Sequence, residues 1–140
     1  MVDVHTLEIL PTVEELNEAV GRAFLARLRT LINEAGAGSR VDLAISGGAI
    51  TTSLLPSLLP FVGEVDWSRV RVWLVDERYV ASGDEDRNDD QAWEGFFRAA
   101  AGVEFVRMPT SDASAPGAGS LDEATAAFAT TWRELMGERS

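Results

Sequence analysis

The 140-residue chain carries 23 acidic against 12 basic residues, a formal charge of −11, and every base other than a single histidine is arginine. With no cysteine and no lysine it excludes disulfides, thiolate nucleophiles, zinc–thiolate sites and Schiff-base chemistry, and its acidity argues against a nucleic-acid surface, which needs a basic stripe. A bound anion would have to be held locally, by backbone amides and one or two arginines. No apolar run reaches the length of a membrane span, and no leader segment is evident at the N-terminus. A single soluble α/β domain over residues 1–140 is expected, working in the cytoplasm with no membrane or nucleic-acid partner.

Val4, Leu7 and Ile9 read as a first strand over residues 4–10. Thr12 and Glu15 form a capping box before Leu16, Val20, Phe24, Leu28 and Leu31, whose spacing predicts an amphipathic helix over 13–34 that ends at Gly36 and Gly38. Val41 to Ile45 suits a buried parallel strand. The segment after Gly48 turns helical, but Pro56 limits it to a short or kinked helix that stops near Leu59-Pro60. Residues 70–75 are the clearest strand. Asn88 with Gln91 resembles a second cap, opening a helix whose inward face is Trp93, Phe96, Phe97 and Ala100, up to Gly102. Val103 to Val106 reads as a further strand, 109–120 as a surface connection, and Ser120 as the cap of a last helix through Met136 with Phe128, Trp132 and Leu135 inward. Strands alternating with helices imply βαβ units and a Rossmann-like, mostly parallel sheet flanked by helices.

Two motifs stand where strands run out. In a parallel sheet, ligands sit beyond the carboxyl ends of the strands, so both motifs point to one edge. Ser46-Gly47-Gly48 lets the backbone approach a ligand closely, and Thr51, Thr52 and Ser53 add hydroxyls; a phosphate cradle and a plain strand-to-helix turn both fit these residues. Asp76-Glu77-Arg78 places an arginine at the rim, where it can hold a phosphate or a developing oxyanion; a solvated loop with a local ion pair fits equally well. Asp84, Asp86 and Asn88 imitate the start of a calcium loop, but Asp89 stands where that loop needs glycine and Gly95 where it needs glutamate, so no metal is expected. The four tryptophans read as core residues, and His5 as structural.

The ordered series Ala44-Ile45-Ser46-Gly47-Gly48, Val65-Asp66-Trp67-Ser68-Arg69-Val70, Val75-Asp76-Glu77-Arg78, Arg87-Asn88-Asp89-Asp90-Gln91-Ala92 and Arg107-Met108-Pro109 resembles the 6-phosphogluconolactonase family, which is related to the glucosamine-6-phosphate deaminases. The resemblance runs over essentially the whole chain. It implies hydrolysis of 6-phosphoglucono-1,5-lactone to 6-phosphogluconate in the pentose phosphate pathway, with no cofactor. It also implies that Ser46, Gly47 and Gly48 belong to the substrate loop, that Arg78 faces the sugar phosphate and lactone, and that Arg87 and Asn88 line the same pocket. Deaminases carry tyrosine where Arg78 stands, which sides this chain with the lactonases.

Two departures from the family pattern matter. Ala49-Ile50 replaces the hydroxyl-bearing residues common after the glycine pair, leaving Thr51 and Thr52 as substitutes. The later Gly-x-Asp-Gly-His segment, whose histidine resemblance assigns as general base, does not occur in the chain. Asp76 is the nearest carboxylate for that role. The resemblance is to the first half of a member, which implies an incomplete family fold, an exposed sheet edge and self-association through it. A non-catalytic sugar-phosphate binding module and an amino-sugar-phosphate deaminase or isomerase are the alternatives.

Overall fold

A computed structural model of the chain describes residues 5–112 and 117–137. Its centre is a parallel sheet of β1 (Val41–Ile45), β2 (Val70–Leu74) and β3 (Glu104–Phe105), in the order β1-β2-β3. Val41 pairs with Val70 and Ile45 with Leu74, so β1 and β2 end level with each other. The expected α/β architecture is therefore what the chain forms.

β2 is buried on both sides, and its alternation assigns the layers. Val70, Val72 and Leu74 join one core with Leu25, Leu28 and Ile32 of α1 (Val13–Glu34), with Leu55 and Leu58, and with Trp67, Phe96 and Phe97. Arg71 and Trp73 face the other way, toward α4 (Leu121–Gly137). There Trp73 meets Phe128 and Trp132 edge-on, with ring centroids 6.1 and 4.7 Å away, and its indole N–H donates to Asp42 at 2.8 Å. Arg71 donates to Glu104 at 2.9 Å and to the carbonyl of Leu135 at 3.1 Å, tying the same helix down. Trp132, expected to be inward, keeps 46% of its surface exposed; among the described residues α4 is the helix that packs on Trp73 on this face.

The helices follow their sequence signals where those signals are local. α1 runs over the expected residues, and the Thr12 hydroxyl accepts from the Glu15 amide at 3.1 Å. Ser120 caps α4 in the same way, accepting from Glu123. After Gly48 a π-helical turn over Ile50–Leu54 leads into α2 (Leu55–Ser57), and a 3₁₀ segment, Leu59–Glu64, completes the crossover. This is the short, proline-limited helix expected there. No helix among the described residues is long and apolar enough to cross a membrane.

Three further expectations fail. Residues 5–10 form no strand, and Leu7 and Ile9 remain 84% and 81% exposed. Alternation alone cannot make a strand without a neighbouring ladder to complete its hydrogen bonds; Val4 lies outside the described residues. The third helix, α3 (Asn88–Gly95), ends well before Gly102. The chain leaves the helix at Phe96 (φ −155°, ψ −57°), and a 3₁₀ turn over Phe97–Ala99 follows. Successive helical positions lie about 100° apart, so in a continuing helix the two phenylalanines would point in directions that far apart. Leaving it lets both rings pack edge-on to Trp67, with centroids 5.3 and 5.8 Å away. β3 is likewise shorter than expected, although the Val106 amide still bonds to the carbonyl of Val72.

Candidate functional site

The level ends of β1 and β2 bring the two motifs together. The Val75 amide donates to the carbonyl of Ile45 at 2.9 Å, so Ser46-Gly47-Gly48 and Asp76-Glu77-Arg78 leave the sheet as neighbours. In the first bend Gly48 takes a positive φ of 66°, a conformation that glycine adopts without steric cost. Its carbonyl collects the amides of Thr51 and Thr52 at 3.1 and 3.0 Å and lies 3.0 Å from both threonine hydroxyls. Gly47 is constrained differently: a Cβ there would collide with the side-chain amide of Asn88.

Asn88 thus connects the two loops. It packs against Gly47, and its side-chain N–H donates to the carbonyl of Asp76 at 3.4 Å. As the first residue of α3 it does not act as the N-cap expected from its sequence. That role falls to a carboxylate from the neighbouring loop. Glu77, its side chain 1% exposed, accepts from the amides of Asn88 and Asp89, both at 2.8 Å, and from the amide of Arg78 at 2.9 Å. Helix amides with no intrahelical partner and the positive end of the helix dipole suit a buried carboxylate.

Behind this junction lies a charged knot. Arg87, also 1% exposed, donates to the carbonyls of Arg78 (2.7 Å), Met108 (2.8 Å) and Pro109 (3.2 Å), pairs with Asp89 at 2.7 Å and lies 3.7 Å from Glu77. Arg107 adds bonds to Asp89 (3.2 Å) and Asp90 (2.8 Å), its guanidinium resting over the rings of Trp93 and Phe105. Burial works to raise the pKa of Asp89, but the hydrogen bond and charge of Arg87, the charge of Arg107 and the Asp90 amide outweigh it and hold the carboxyl below its ordinary value.

In front of the knot the polar groups are open. Ser46, Asp76 and Arg78 are exposed, and among the described residues no hydrogen bond or ion pair engages the side chain of any of them. A cavity of about 150 Å³ lies beside Arg78, walled by Tyr79, Met108, Pro109, Leu121 and Phe128. A larger hollow of about 600 Å³ runs along α1 between Asn17 and Phe61 and holds none of the motif residues.

The family model described as glucosamine-6-phosphate isomerases/6-phosphogluconolactonase matches residues 11–140. The chain belongs to this family. A 6-phosphogluconolactonase of Mycobacterium leprae is 36% identical over 87 residues, 62% of this chain and 34% of that protein. One from Streptomyces coelicolor is 37% identical over 78 residues, 54% of this chain and 30% of its own length. The matched stretches thus span about a third of these relatives. Among solved structures, a 6-phosphogluconolactonase from Leishmania guyanensis superposes with a TM-score of 0.69 at 21% identity, covering 98% of this chain and 52% of that one. One from Shewanella baltica gives 0.63 at 22% identity, covering 85% and 48%. These two share the fold.

Within this family member the nine candidate residues divide. Ser46, Gly47, Gly48, Asp76, Arg78 and Asn88 gather around the adjoining strand ends. Thr51 and Arg87 do not face outward. The Thr51 hydroxyl is enclosed between the Gly48 carbonyl and Gln91, and the Arg87 guanidinium is enclosed by the three carbonyls and Asp89. Their donors are spent on holding the loops, so they shape the site and do not present it. Thr52 is exposed, its hydroxyl turned to Gly48. His5 is exposed on the irregular segment before α1. Glu77 and Arg107 were visible in sequence only as motif members; no local signal marks a carboxylate that caps a helix 11 residues away.

Proposed function

We propose that the chain forms the sugar-phosphate-binding part of a 6-phosphogluconolactonase-like hydrolase, acting on 6-phosphoglucono-1,5-lactone in the pentose phosphate pathway. The observation that carries this reading is Arg78: an exposed guanidinium without a partner among the described residues, on the loop that adjoins the diglycine bend, while Arg87 and Arg107 behind it are paired. Such a cation is available to an anionic ligand, and a planar guanidinium suits a phosphate or an oxyanion. In the reaction a water loses its proton to a base, and its oxygen attacks the lactone carbonyl. The resulting oxyanion collapses, breaking the bond to the ring oxygen, which takes up a proton. Arg78 would stabilise that oxyanion or anchor the phosphate, while the bend fixes the sugar's orientation. No buried or paired histidine stands at this rim, and Asp76 is the carboxylate nearest to hand. We infer that these 140 residues bind the sugar but do not supply an effective base.

On this reading the protein works in the cytoplasm, because a phosphorylated sugar does not cross a bilayer unaided. Calorimetric titration with 6-phosphogluconate, alongside an assay on freshly made lactone, tests it. Saturable binding with turnover no faster than spontaneous hydrolysis is expected. Absence of binding overturns the sugar-phosphate reading, and clear turnover overturns the inferred lack of a base. Release of ammonia from glucosamine 6-phosphate would instead favour the isomerase side of the family.

A further inference from the structure

We infer that Glu77 is a positioning residue whose buried carboxylate clamps the Arg78 turn to the N-terminus of α3, where Asn88 packs on the diglycine bend, and thereby sets where the arginine stands. The inference rests on the sugar-phosphate reading for what Arg78 binds, but the clamp is a matter of geometry. One oxygen of Glu77 accepts from the amides of Arg78 and Asn88, and the other accepts from the amide of Asp89. A single side chain therefore spans the residue that carries the guanidinium and the residue that packs on Gly47. Arg87, the residue before α3, holds the Arg78 carbonyl from behind at 2.7 Å, while Glu77 ties the Arg78 amide to those of Asn88 and Asp89.

A carboxylate is the group this arrangement requires. All three partners donate, so both oxygens must accept. Glutamine offers one oxygen and an NH₂ group, and whichever way it is turned the NH₂ meets at least one amide N–H. The substitution keeps size and shape while breaking part of the clamp. Arg87, 3.7 Å away, offsets the burial of the negative charge.

Three proteins test the inference: Glu77→Gln, Arg78→Ala and the double variant, each titrated with 6-phosphogluconate and with amide exchange followed by NMR. Glu77→Gln should lose about tenfold in affinity, the scale of one charge-assisted hydrogen bond's worth of ordering. In the Arg78→Ala background the same change should alter affinity less than about twofold, because Glu77 acts through the arginine. A general loosening of the fold would instead lower affinity equally in both backgrounds, and that result overturns the inference. The amides of Arg78, Asn88 and Asp89 should exchange faster in Glu77→Gln while those of β2 do not. Unchanged exchange at those three amides also overturns it. Should the unaltered chain bind no 6-phosphogluconate, the functional reading fails, and the exchange pattern alone decides whether the clamp exists.

Discussion

Glu77 and Arg78 are neighbours in sequence and opposites in structure. Glu77 is buried with each oxygen engaged, whereas Arg78 is exposed with its guanidinium unpaired among the described residues. The contrast extends to the groups around them. Behind the strand ends, Arg87, Asp89 and Arg107 close on one another and on backbone carbonyls. In front, Ser46, Asp76 and Arg78 stay open. Charges that satisfy each other hold loops in place; of the two left open, Arg78 is the one suited to an anionic ligand. A site built this way has a rigid back and a receptive front.

Substitutions should separate these two layers by how much stability each one costs. The largest effect is expected at Arg87→Ala, which leaves two buried carboxylates short of their counter-charge and three carbonyls without a donor; a loss of about 3–5 kcal/mol in urea unfolding is expected. Gly47→Ala should come next, at about 1–3 kcal/mol, because its methyl group must push Asn88 aside, and ligand affinity should fall with it.

Asp89→Asn should cost stability in a pH-dependent way. The folded state holds this carboxyl below its ordinary value, so its contribution is present above about pH 4 and is lost as pH falls further. The difference in unfolding free energy between the unaltered chain and Asp89→Asn should therefore shrink on acidification below that point. A constant difference would mean that the knot does not act on this group's ionisation. Arg78→Ala should have the smallest effect on stability, within about 0.5 kcal/mol, while weakening 6-phosphogluconate binding by about tenfold to a hundredfold. A large stability loss at Arg78 would erase the distinction between back and front. As a separate matter, β1 ends the sheet on one side among the described residues, and we propose that a second copy pairs along that edge; sedimentation at rising protein concentration should then show a dimer, and a monomer throughout would refute it.

Much of the framework could be read along the chain. α1 was legible because Thr12, Glu15 and the spacing of Leu16 to Leu31 are local signals that agree with one another. β2 was legible because a fully buried parallel strand is an apolar run between charged segments. The place of the two motifs followed from strand ends alone. The first strand was misread because Leu7 and Ile9 alternate correctly yet find no neighbouring ladder. The length of α3 was misread because Phe96 and Phe97 compete for one aromatic cluster around Trp67, a contact that helical spacing does not contain. Asn88 was read as a cap because asparagine commonly serves as one; here Glu77 reaches its amide first.

By itself the sequence determined the α/β alternation, the cluster of charges at a strand end and the lack of a second histidine, since these depend on residue type, period and order. Tertiary structure decided which of the clustered charges became scaffold and which stayed open. Glu77, Arg78 and Arg87 look alike as sequence. They part only when the strand ends, α3 and the 107–109 turn come together, because burial and the supply of unpaired backbone groups are properties of the assembled loops.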